Sequence, residues 1–348
     1  MLIGFQVNIL LSSNRFYPDI GGIENIALLL AQDFVAAGHQ VRLVTQTSGP
    51  SLLDCDFPFK ILRQPNAFHL LSSYYWADVL LQVNLESRQL WLRLLYKKPL
   101  VIGMQCWTGY ANSGFLSIKW LKHKAFGLAD RLIACSNAIR EEAGYAATVI
   151  NNPYNSNLFC LNSDVSREKA IVFLGRLVSI KGADMLLEAF AAVRPSGWRL
   201  TIIGDGPDLL YLKQLACRLG MGNSVDFLGS LQNEALVHAL NLHEIMVIPS
   251  RWREPFGIVA LEGLACGCVV LAADDGGLVD AVGPAGIVFR RGDQSDLEAK
   301  LRFLVNNQEA RIHLRAQAPT HLRRFSHHVV SRQYLAILEE LVNTKQKQ

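Results

Sequence analysis

Strand-like and helix-like segments alternate along most of the chain, and this alternation restricts the fold more than any other feature. Val7–Leu11 reads as a strand, Ile23–Ala37 as a helix with apolar residues at helical spacing, and Val41–Thr45 as the next strand. Pro99–Met104 and Arg131–Cys135 are further apolar runs of strand length. A succession of this kind predicts an α/β fold, in which a parallel sheet is covered by helices.

The alternation is interrupted once, at Asn151–Ser166. This segment is polar and rich in residues that favour turns, which is typical of a linker. Strand and helix patterns then start again and continue to Ala273, and Val329–Val342 follows as an amphipathic helix. The predicted elements in this part include the strands Ala170–Leu174, Arg199–Ile203 and Val269–Ala273 and the helix Ala183–Val193. A chain of 348 residues suits two α/β units of about 170 residues each. We therefore predict two Rossmann-like domains, at 1–160 and 161–325, and a helix with a tail at 326–348.

Composition excludes several classes of protein. The net charge is only +4, which is far from the clustered basic face of a nucleic-acid binder, so no nucleic-acid partner is expected. The seven cysteines are scattered without a C-x-x-C pair, mostly in apolar runs, which favours reduced, buried thiols in a cytoplasmic protein. The apolar start of the chain lacks the features of a signal peptide, and no uncharged apolar run reaches the roughly 18–20 residues that span a bilayer.

Paired glycines follow the first predicted strand, in the stretch P-D-I-G-G-I-E that contains Gly21 and Gly22. Such a pair lets the backbone approach a phosphate or a sugar, and the N-terminus of the following helix favours negative charge. Simple turns contain the same pair as often, so the motif alone leaves both interpretations open. Because it is not G-x-G-x-x-G, it argues against an ordinary dinucleotide fold.

Two cations flank the loop that follows the strand Ala170–Leu174, where the sequence reads G-R-L-V-S-I-K-G. Arg176 offers a planar fork of donors and Lys181 a compact charge, a suitable pair for a diphosphate. The alternative is a solvated loop with two ordinary charges. Further along, Gly204-Asp205-Gly206 forms a tight turn after a strand, and we assign Asp205 no role beyond that turn.

The stretch P-S-R-W-R-E-P-F-G-I-V-A-L-E-G carries two carboxylates that point to a binding site. Glu254 lies in a Pro- and Gly-containing loop at the start of a predicted helix, where the helix dipole favours a negative charge. Glu262 follows within the otherwise apolar helix, where an unbonded carboxylate would be costly. A carboxylate is a strong acceptor for hydroxyl groups; the alternative is a paired structural glutamate.

Together, G-G-x-E, G-R-x-x-x-x-K-G, I-G-D-G-P and E-P-F-G-x-x-x-x-E-G resemble family 4 of the retaining glycosyltransferases, which have the GT-B fold. Their order and spacing match from about Asn8 to Asp296. The resemblance implies two Rossmann-like domains facing across a cleft, with the acceptor side in the first domain and the nucleotide-sugar donor side in the second. It also implies that the last helix crosses back to the first domain.

By this resemblance, Arg176, Lys181 and Glu254 would be the catalytic residues, with the two cations on the donor diphosphate. Glu254 would hold the donor sugar and the distal phosphate together with nearby backbone amides, and Glu262 would bind the ribose hydroxyls. The implied donor-binding residues are Gly21, Gly22, Gln105, Arg176, Lys181, Glu254, Phe256, Gly257, Ile258 and Glu262.

Gln105 departs from the family pattern. Many members carry a histidine after the strand that matches Pro99–Met104, near the donor sugar, and here the stretch M-Q-C-W has a glutamine at that place. A glutamine can bind a sugar hydroxyl but cannot titrate, so it either positions the sugar or alters the activity. We interpret His39 as a structural turn residue, and His238 and His243 as surface residues of a helix.

The resemblance implies transfer of a hexose-type sugar from a nucleotide-diphosphate donor to a hydroxyl of a glycan, a lipid-linked molecule or a small molecule. Retention and independence of metal and cofactor are part of the same expectation. Cys266-Gly267-Cys268 has no histidine nearby in the sequence and is interpreted as buried thiols. Two alternatives stay open: a nucleotide-sugar-binding protein without transferase activity, and a nucleotide-sugar epimerase of the same fold.

Ser117–Gly127 suggests a contact with a membrane. As a helix, it would place Lys119, Lys122 and Lys124 beside Trp120 and other apolar residues, a combination that suits the surface of an anionic bilayer. The alternative is a helix that packs on the core and keeps its basic face in water. We therefore expect a cytoplasmic protein with a possible peripheral position on the inner face of the membrane.

Overall fold

The computed structural model of the protein describes residues 6–19, 21–49, 51–107 and 124–346. It divides into two compact units, Met1–Pro153 with His327–Gln348, and Tyr154–Ser326. The first boundary falls at Pro153, earlier than the predicted residue 160. The reason is that Tyr154 already belongs to the second unit, where it forms a parallel bridge with Ser326 and donates its N–H to the Phe325 carbonyl at 3.1 Å.

The first unit is a seven-stranded parallel sheet with the strand order β3-β2-β1-β4-β5-β6-β7. The strands are β1 Asn8–Ser12, β2 Gln40–Thr45, β3 Lys60–Arg63, β4 Val79–Gln82, β5 Leu100–Met104, β6 Arg131–Ala134 and β7 Thr148–Val149. The helices before the linker are α1 Gly22–Ala36, α2 Ala67–Trp76, α3 Leu92–Leu95 and α4 Asn137–Ala143, with short 3₁₀ turns at Ser51–Asp56 and Ser87–Gln89.

The second unit is a six-stranded parallel sheet with the order β10-β9-β8-β11-β12-β13. Its strands are β8 Glu168–Leu174, β9 Arg199–Ile203, β10 Val225–Gly229, β11 His243–Ile248, β12 Val269–Ala273 and β13 Gly286–Phe289. Its helices are α5 Ala183–Val193, α6 Leu209–Arg218, α7 Asn233–Leu242, α8 Ile258–Ala265, α9 Leu278–Val282, α10 Gln294–Asn306 and α11 Gln308–Leu322, with 3₁₀ turns at Ser179–Lys181, Gly283–Ala285 and Arg323–Phe325.

These two α/β sheets confirm the predicted fold class. Central strands are continuous hydrophobic runs because helices cover both faces of each sheet: every residue of β5 and of β12 is buried. In each sheet the chain order reverses once, between β1 and β4 in the first unit and between β8 and β11 in the second. Such a switch point leaves a crevice at the carboxyl ends of the strands, where α/β proteins bind ligands.

The last helix, α12 (His327–Gln346), packs on the first unit, as expected for a crossover helix. Asp33 on α1 holds its first turns, because its carboxylate accepts hydrogen bonds from Nδ1 of His327 at 2.9 Å and of His328 at 3.0 Å. The Ser331 hydroxyl donates to the same carboxylate at 2.7 Å. Near the other end, His39 contacts Glu339 at 3.2 Å, which supports its structural interpretation.

Two sequence interpretations are wrong. His243 is not a surface residue of a helix: it begins β11, is buried, and its ring bonds the Ala239 carbonyl and the Thr201 hydroxyl, while burial lowers its pKa. The thiols are not mostly buried either, because an apolar neighbourhood in sequence does not decide which way a side chain points. Three cysteines are buried, and the exposed ones are Cys55, Cys106, Cys160 and Cys217.

No helix in the described ranges combines the length and the apolar character needed to cross a bilayer. The predicted interfacial helix at Ser117–Gly127 lies mostly outside the described residues, which resume at residue 124. Its contact with a membrane stays a prediction.

Candidate functional site

The switch point of the second unit brings together the loops after β8, β9 and β11. Gly175 donates its N–H to the Ile203 carbonyl at 3.0 Å, and Leu177 donates to the Asp205 carbonyl at 2.9 Å. A Cβ at Gly204 would lie closer than 3.0 Å to the Gly175 carbonyl oxygen, so only glycine allows this approach. The I-G-D-G-P turn therefore supports the loop that carries the two predicted cations.

Lys181 and Glu254 meet at this switch point. The Lys181 ammonium donates to Oε1 of Glu254 at 2.5 Å, and the Ser250 hydroxyl donates to the same oxygen at 2.9 Å. The Glu254 side chain is 13% exposed, so the pair is largely shielded but still open on one side. Lys181 and Glu254 come from two separate sequence motifs and are predicted to act on the same ligand. In the structure they form one polar cluster with Ser250.

Arg176 lies in the same loop after β8 as Lys181 and has no partner among the described residues. Its residue is exposed, and within the described ranges its guanidinium makes no hydrogen bond or ion pair. Neighbouring arginines differ, because Arg251 bonds Asp184 at 2.7 and 2.9 Å and Arg253 bonds Asp275 at 2.9 Å. A free guanidinium at a ligand crevice is suited to bind a phosphate in a bidentate manner.

Backbone donors complete this edge of the site at the start of α8. Gly257 caps the helix in the left-handed region, at φ +100°, and Phe256 is buried against Phe325 with ring centroids 5.7 Å apart. In the described part of the chain, the N–H groups of Phe256, Gly257 and Ile258 donate to no protein oxygen. Free N–H groups at a helix N-terminus bind anions.

Glu262 lies at the end of the first turn of α8. Its residue is half-buried, and no described residue donates a hydrogen bond to its carboxylate. Burial raises its pKa to about 7, because the carboxylate loses solvation without gaining a partner. A paired structural glutamate therefore finds no partner among the described residues, and the ribose role of Glu262 stays a prediction.

The remaining predicted residues belong to the first unit. Gly21 caps α1 in an extended conformation and Gly22 is the first residue of that helix. A Cβ on Gly21 would collide with the carboxylate of Glu24, which folds back over it. Gln105 directly follows β5 and is only 4% exposed, and neither its amide nitrogen nor its amide oxygen has a partner within the described residues. An unsatisfied buried amide is costly, so both polar atoms of this side chain are suited to take up a hydrogen-bonding partner.

Metal ligands are brought together at one place in the described residues. Ligand atoms of Asp33, His327 and His328 lie within 4.8 Å of one another. Because Asp33 already accepts hydrogen bonds from both rings and from Ser331, we assign this cluster to holding α12. Cys268 is fully buried, and burial raises the pKa of its thiol to about 12, which makes it a poor ligand.

Two residues that sequence analysis missed belong to the candidate sites. Ser250 bonds Glu254, and its place in the same loop was the available signal. Glu86 follows β4, a strand of only four residues that the sequence pattern does not predict. It lines a cavity of about 560 Å³ in the first unit. The polar residues that line this cavity are Asn14, Arg15, Glu24, Asn84, Glu86 and Arg88.

Comparison with known proteins relates this geometry to a family. The family described as "Glycosyl transferases group 1" matches residues 162–321. A D-inositol 3-phosphate glycosyltransferase of Nocardia farcinica is 33% identical over 316 residues, which cover 78% of this chain and 67% of that protein. The corresponding enzyme of Corynebacterium jeikeium is 36% identical over 186 residues, 50% of this chain. The chain spans only 44% of the length of that relative.

Solved structures share the fold at low sequence identity. HepE of Anabaena, in complex with UDP and glucose, superposes with a TM-score of 0.81 at 20% identity, covering 96% of this chain and all of that one. Sucrose-phosphate synthase of Thermosynechococcus elongatus gives a TM-score of 0.77 at 19% identity, covering 97% of this chain and all of that one. At such identities the likeness shows the fold alone.

Proposed function

This chain belongs to the group 1 glycosyltransferases, the family 4 type with the GT-B fold, and on that premise we propose that it transfers a sugar from a nucleotide-diphosphate donor to an acceptor hydroxyl with retention of configuration. The observation that carries the proposal is the arrangement at the β8 and β11 switch point. There, the loop after β8 carries Arg176 and Lys181, and Lys181 bonds Glu254 in the loop after β11. Arg176 and the N–H groups at the start of α8 have no partner among the described residues.

Each group has a role in breaking the bond between the anomeric carbon and the phosphate. That step builds positive charge on the sugar and negative charge on the leaving diphosphate. Arg176 and Lys181 stabilise the diphosphate, and preset charges of this kind are among the largest catalytic terms. Glu254 accepts hydrogen bonds from the donor sugar and keeps Lys181 in place. The acceptor hydroxyl attacks from the leaving-group face and its proton passes to a donor phosphate oxygen, so the step requires no metal.

We propose a UDP-hexose as the donor, because HepE was solved with UDP and with UDP-glucose. Arg176 and Lys181 recognise only the diphosphate, so the base needs its own test. Thermal unfolding of the full chain with UDP-, GDP- and ADP-glucose compares the affinities for the three donors, since a ligand at a hundred times its Kd stabilises the protein by roughly 2.7 kcal/mol.

Retention is tested by following transfer to water or to an acceptor by NMR. We expect the α-anomer to be the first product. A β-anomer as the first product would contradict it.

Gln105 favours a second candidate, a nucleotide-sugar-binding protein without transferase activity. Its amide cannot titrate, whereas many family members have a histidine at that place. UDP release from UDP-glucose separates the two functions, because a binding protein would be stabilised by the donor without turning it over. An epimerase would instead convert UDP-glucose to another UDP-sugar without releasing UDP.

Replacing Gln105 by alanine is expected to cost about 1–3 kcal/mol in transition-state binding, because a sugar hydroxyl would lose its hydrogen-bonded partner. The measurement is kcat/KM for the donor. Gln105→His serves as the paired variant, and we expect it to keep the fold and to change activity only modestly. A Gln105→Ala variant with wild-type kcat/KM would place this residue outside the donor site.

Glu262→Gln is expected to raise the donor KM about tenfold with little change in kcat, because contacts with the ribose are similar in the ground and transition states. In the wild type the donor KM should rise as the pH falls below about 7, since the protonated carboxyl is a poorer acceptor. The variant should lose this pH dependence. Glu234→Gln, at an exposed glutamate of α7, is the matched control. A fall in kcat alone would contradict the ribose role.

Gly21 and Gly22 stay predicted donor contacts from the first unit. The acceptor is proposed to be a hydroxyl compound bound by the first unit, and D-inositol 3-phosphate is a suitable test acceptor because the relatives are named for it. A cytoplasmic location and a peripheral membrane contact through Ser117–Gly127 stay predictions.

A further inference from the structure

Glu86 occupies the switch point of the first unit, as Glu254 occupies that of the second. It follows β4, and the cavity it lines also contacts Asn14 in the loop after β1 and Glu24 in the first turn of α1. The carboxyl ends of β1 and β4 flank the point where the strand order reverses. This is the place where an α/β sheet binds a ligand, and none of the predicted donor contacts uses Glu86.

The fold holds Glu86 in a defined position. The buried side chain of Gln82 accepts the Glu86 N–H at 2.9 Å and donates to the Glu86 carbonyl at 3.4 Å, which clamps the backbone of this residue. The Ser12 hydroxyl donates to Gln89 at 2.6 Å and fastens the next turn of the loop. Glu86 itself is only 8% exposed although it lines the cavity. A polar group that is this rigid and this buried is preorganised for a ligand.

The surroundings of Glu86 raise the pKa of its carboxyl into the neutral range. Burial raises its pKa to about 7, and the Asn14 backbone N–H and the charge of Arg88 reduce this shift without cancelling it. The other charged side chains that face the same cavity are Arg15 and Glu24. Arg15 and Arg88 have no ion-pair partner among the described residues. A carboxyl with a pKa raised to about 7 is expected to change its charge around neutral pH.

We propose that Glu86 is an acceptor-binding residue whose carboxylate accepts hydrogen bonds from the hydroxyl groups of a sugar or cyclitol held in this cavity. This inference rests on the proposed transferase function and adds to it the residue that selects a polyhydroxylated acceptor. A carboxylate accepts hydrogen bonds from two neighbouring hydroxyls at once, whereas the protonated acid competes by donating one of its own. The amides of Asn14 and Asn84 add donors and acceptors for the same kind of ligand.

The inference predicts that affinity for an uncharged polyol rises with pH. If only the ionised form binds, a group with a pKa near 7 gives an increase in affinity of about tenfold between pH 6 and pH 8. Suitable probes are myo-inositol and methyl α-D-glucoside, since neither titrates in this range. Their Kd for the full chain is measured by saturation-transfer NMR at pH 6, 7 and 8, in the presence of UDP.

Glu86→Gln is expected to weaken polyol binding at pH 8 about tenfold and to remove its pH dependence. Glu86→Asp should bind more weakly than the wild type but keep a pH dependence, which a merely structural role would not explain. Glu141→Gln, at an exposed glutamate of α4 in the same unit, is the matched control and should behave as wild type. Thermal unfolding of each variant identifies those that fold.

The inference would be overturned if neither myo-inositol nor methyl α-D-glucoside bound the wild type at pH 8. It would also be overturned if folded Glu86→Gln kept the pH dependence of polyol affinity. The affinity for UDP, measured separately by calorimetry, tests the proposed function through Arg176 and Lys181. A wild type that does not bind UDP would overturn the proposed transferase function. Tight UDP binding combined with a polyol affinity that is independent of pH would overturn only the role of Glu86.

Discussion

Alanine in place of Arg176 or Lys181 is expected to lower kcat about a hundredfold or more, by analogy with the removal of other preset charge-stabilising groups. The two variants should lose activity for different structural reasons. Arg176 has no partner among the described residues, so its removal takes away a phosphate ligand and disturbs nothing else. Lys181→Ala also leaves Glu254 with Ser250 as its remaining side-chain partner, so the sugar-binding side of the site should change as well.

Single-turnover kinetics with UDP-glucose measure this effect without interference from product release. Arg199→Ala is the matched control: it removes an arginine of the same unit at the amino end of β9, where Arg199 bonds Asp226 on the surface. Exposed ion pairs contribute little to stability, so the control variant should fold normally. We therefore expect it to keep nearly full activity. Wild-type turnover in both Arg176→Ala and Lys181→Ala would remove the diphosphate assignment.

Gly182→Ala is expected to lower the free energy of unfolding of the second unit by about 3 kcal/mol and to impair turnover with it. Gly182 has φ +73° and caps α5, directly after Lys181. A Cβ there would lie closer than 3.0 Å to the carbonyl oxygen of Pro249, a backbone atom that cannot move aside. The substitution therefore forces apart the two loops that carry Lys181 and Glu254.

Gly197→Ala serves as the control that separates two costs of Gly182→Ala, the clash with Pro249 and the left-handed backbone conformation. Gly197 has nearly the same φ, +75°, but no atom lies within 4 Å of its added Cβ. It should lose only the roughly 1–2 kcal/mol that the left-handed region costs a residue with a side chain. Urea unfolding of the full chain compares both variants with the wild type. Equal losses in the two variants would contradict the close approach at Pro249.

Local patterns in the sequence predicted the elements that build the second unit. The helix Ala183–Val193 and the strands Arg199–Ile203 and Val269–Ala273 match the structure to the residue, because an apolar run or a helical spacing of apolar residues is a local property. The sequence predicts no element between β2 and β5. There, β4 has only four residues and α2 is rich in exposed aromatic side chains, so neither shows a strong pattern.

The sequence alone determined the α/β class and the presence of two units, because periodicity and turn residues are readable along the chain, while the roles of the motif residues stay predictions. Tertiary structure decided which groups are paired and which are free. It joins Lys181 to Glu254 across 73 positions, whereas Arg176 and Glu262 find no partner in the part of the chain that the structure describes. It also buries Glu86 at a second crevice. Burial and pairing depend on what other segments place around a side chain, and a pKa near 7 for a glutamate arises only from that surrounding.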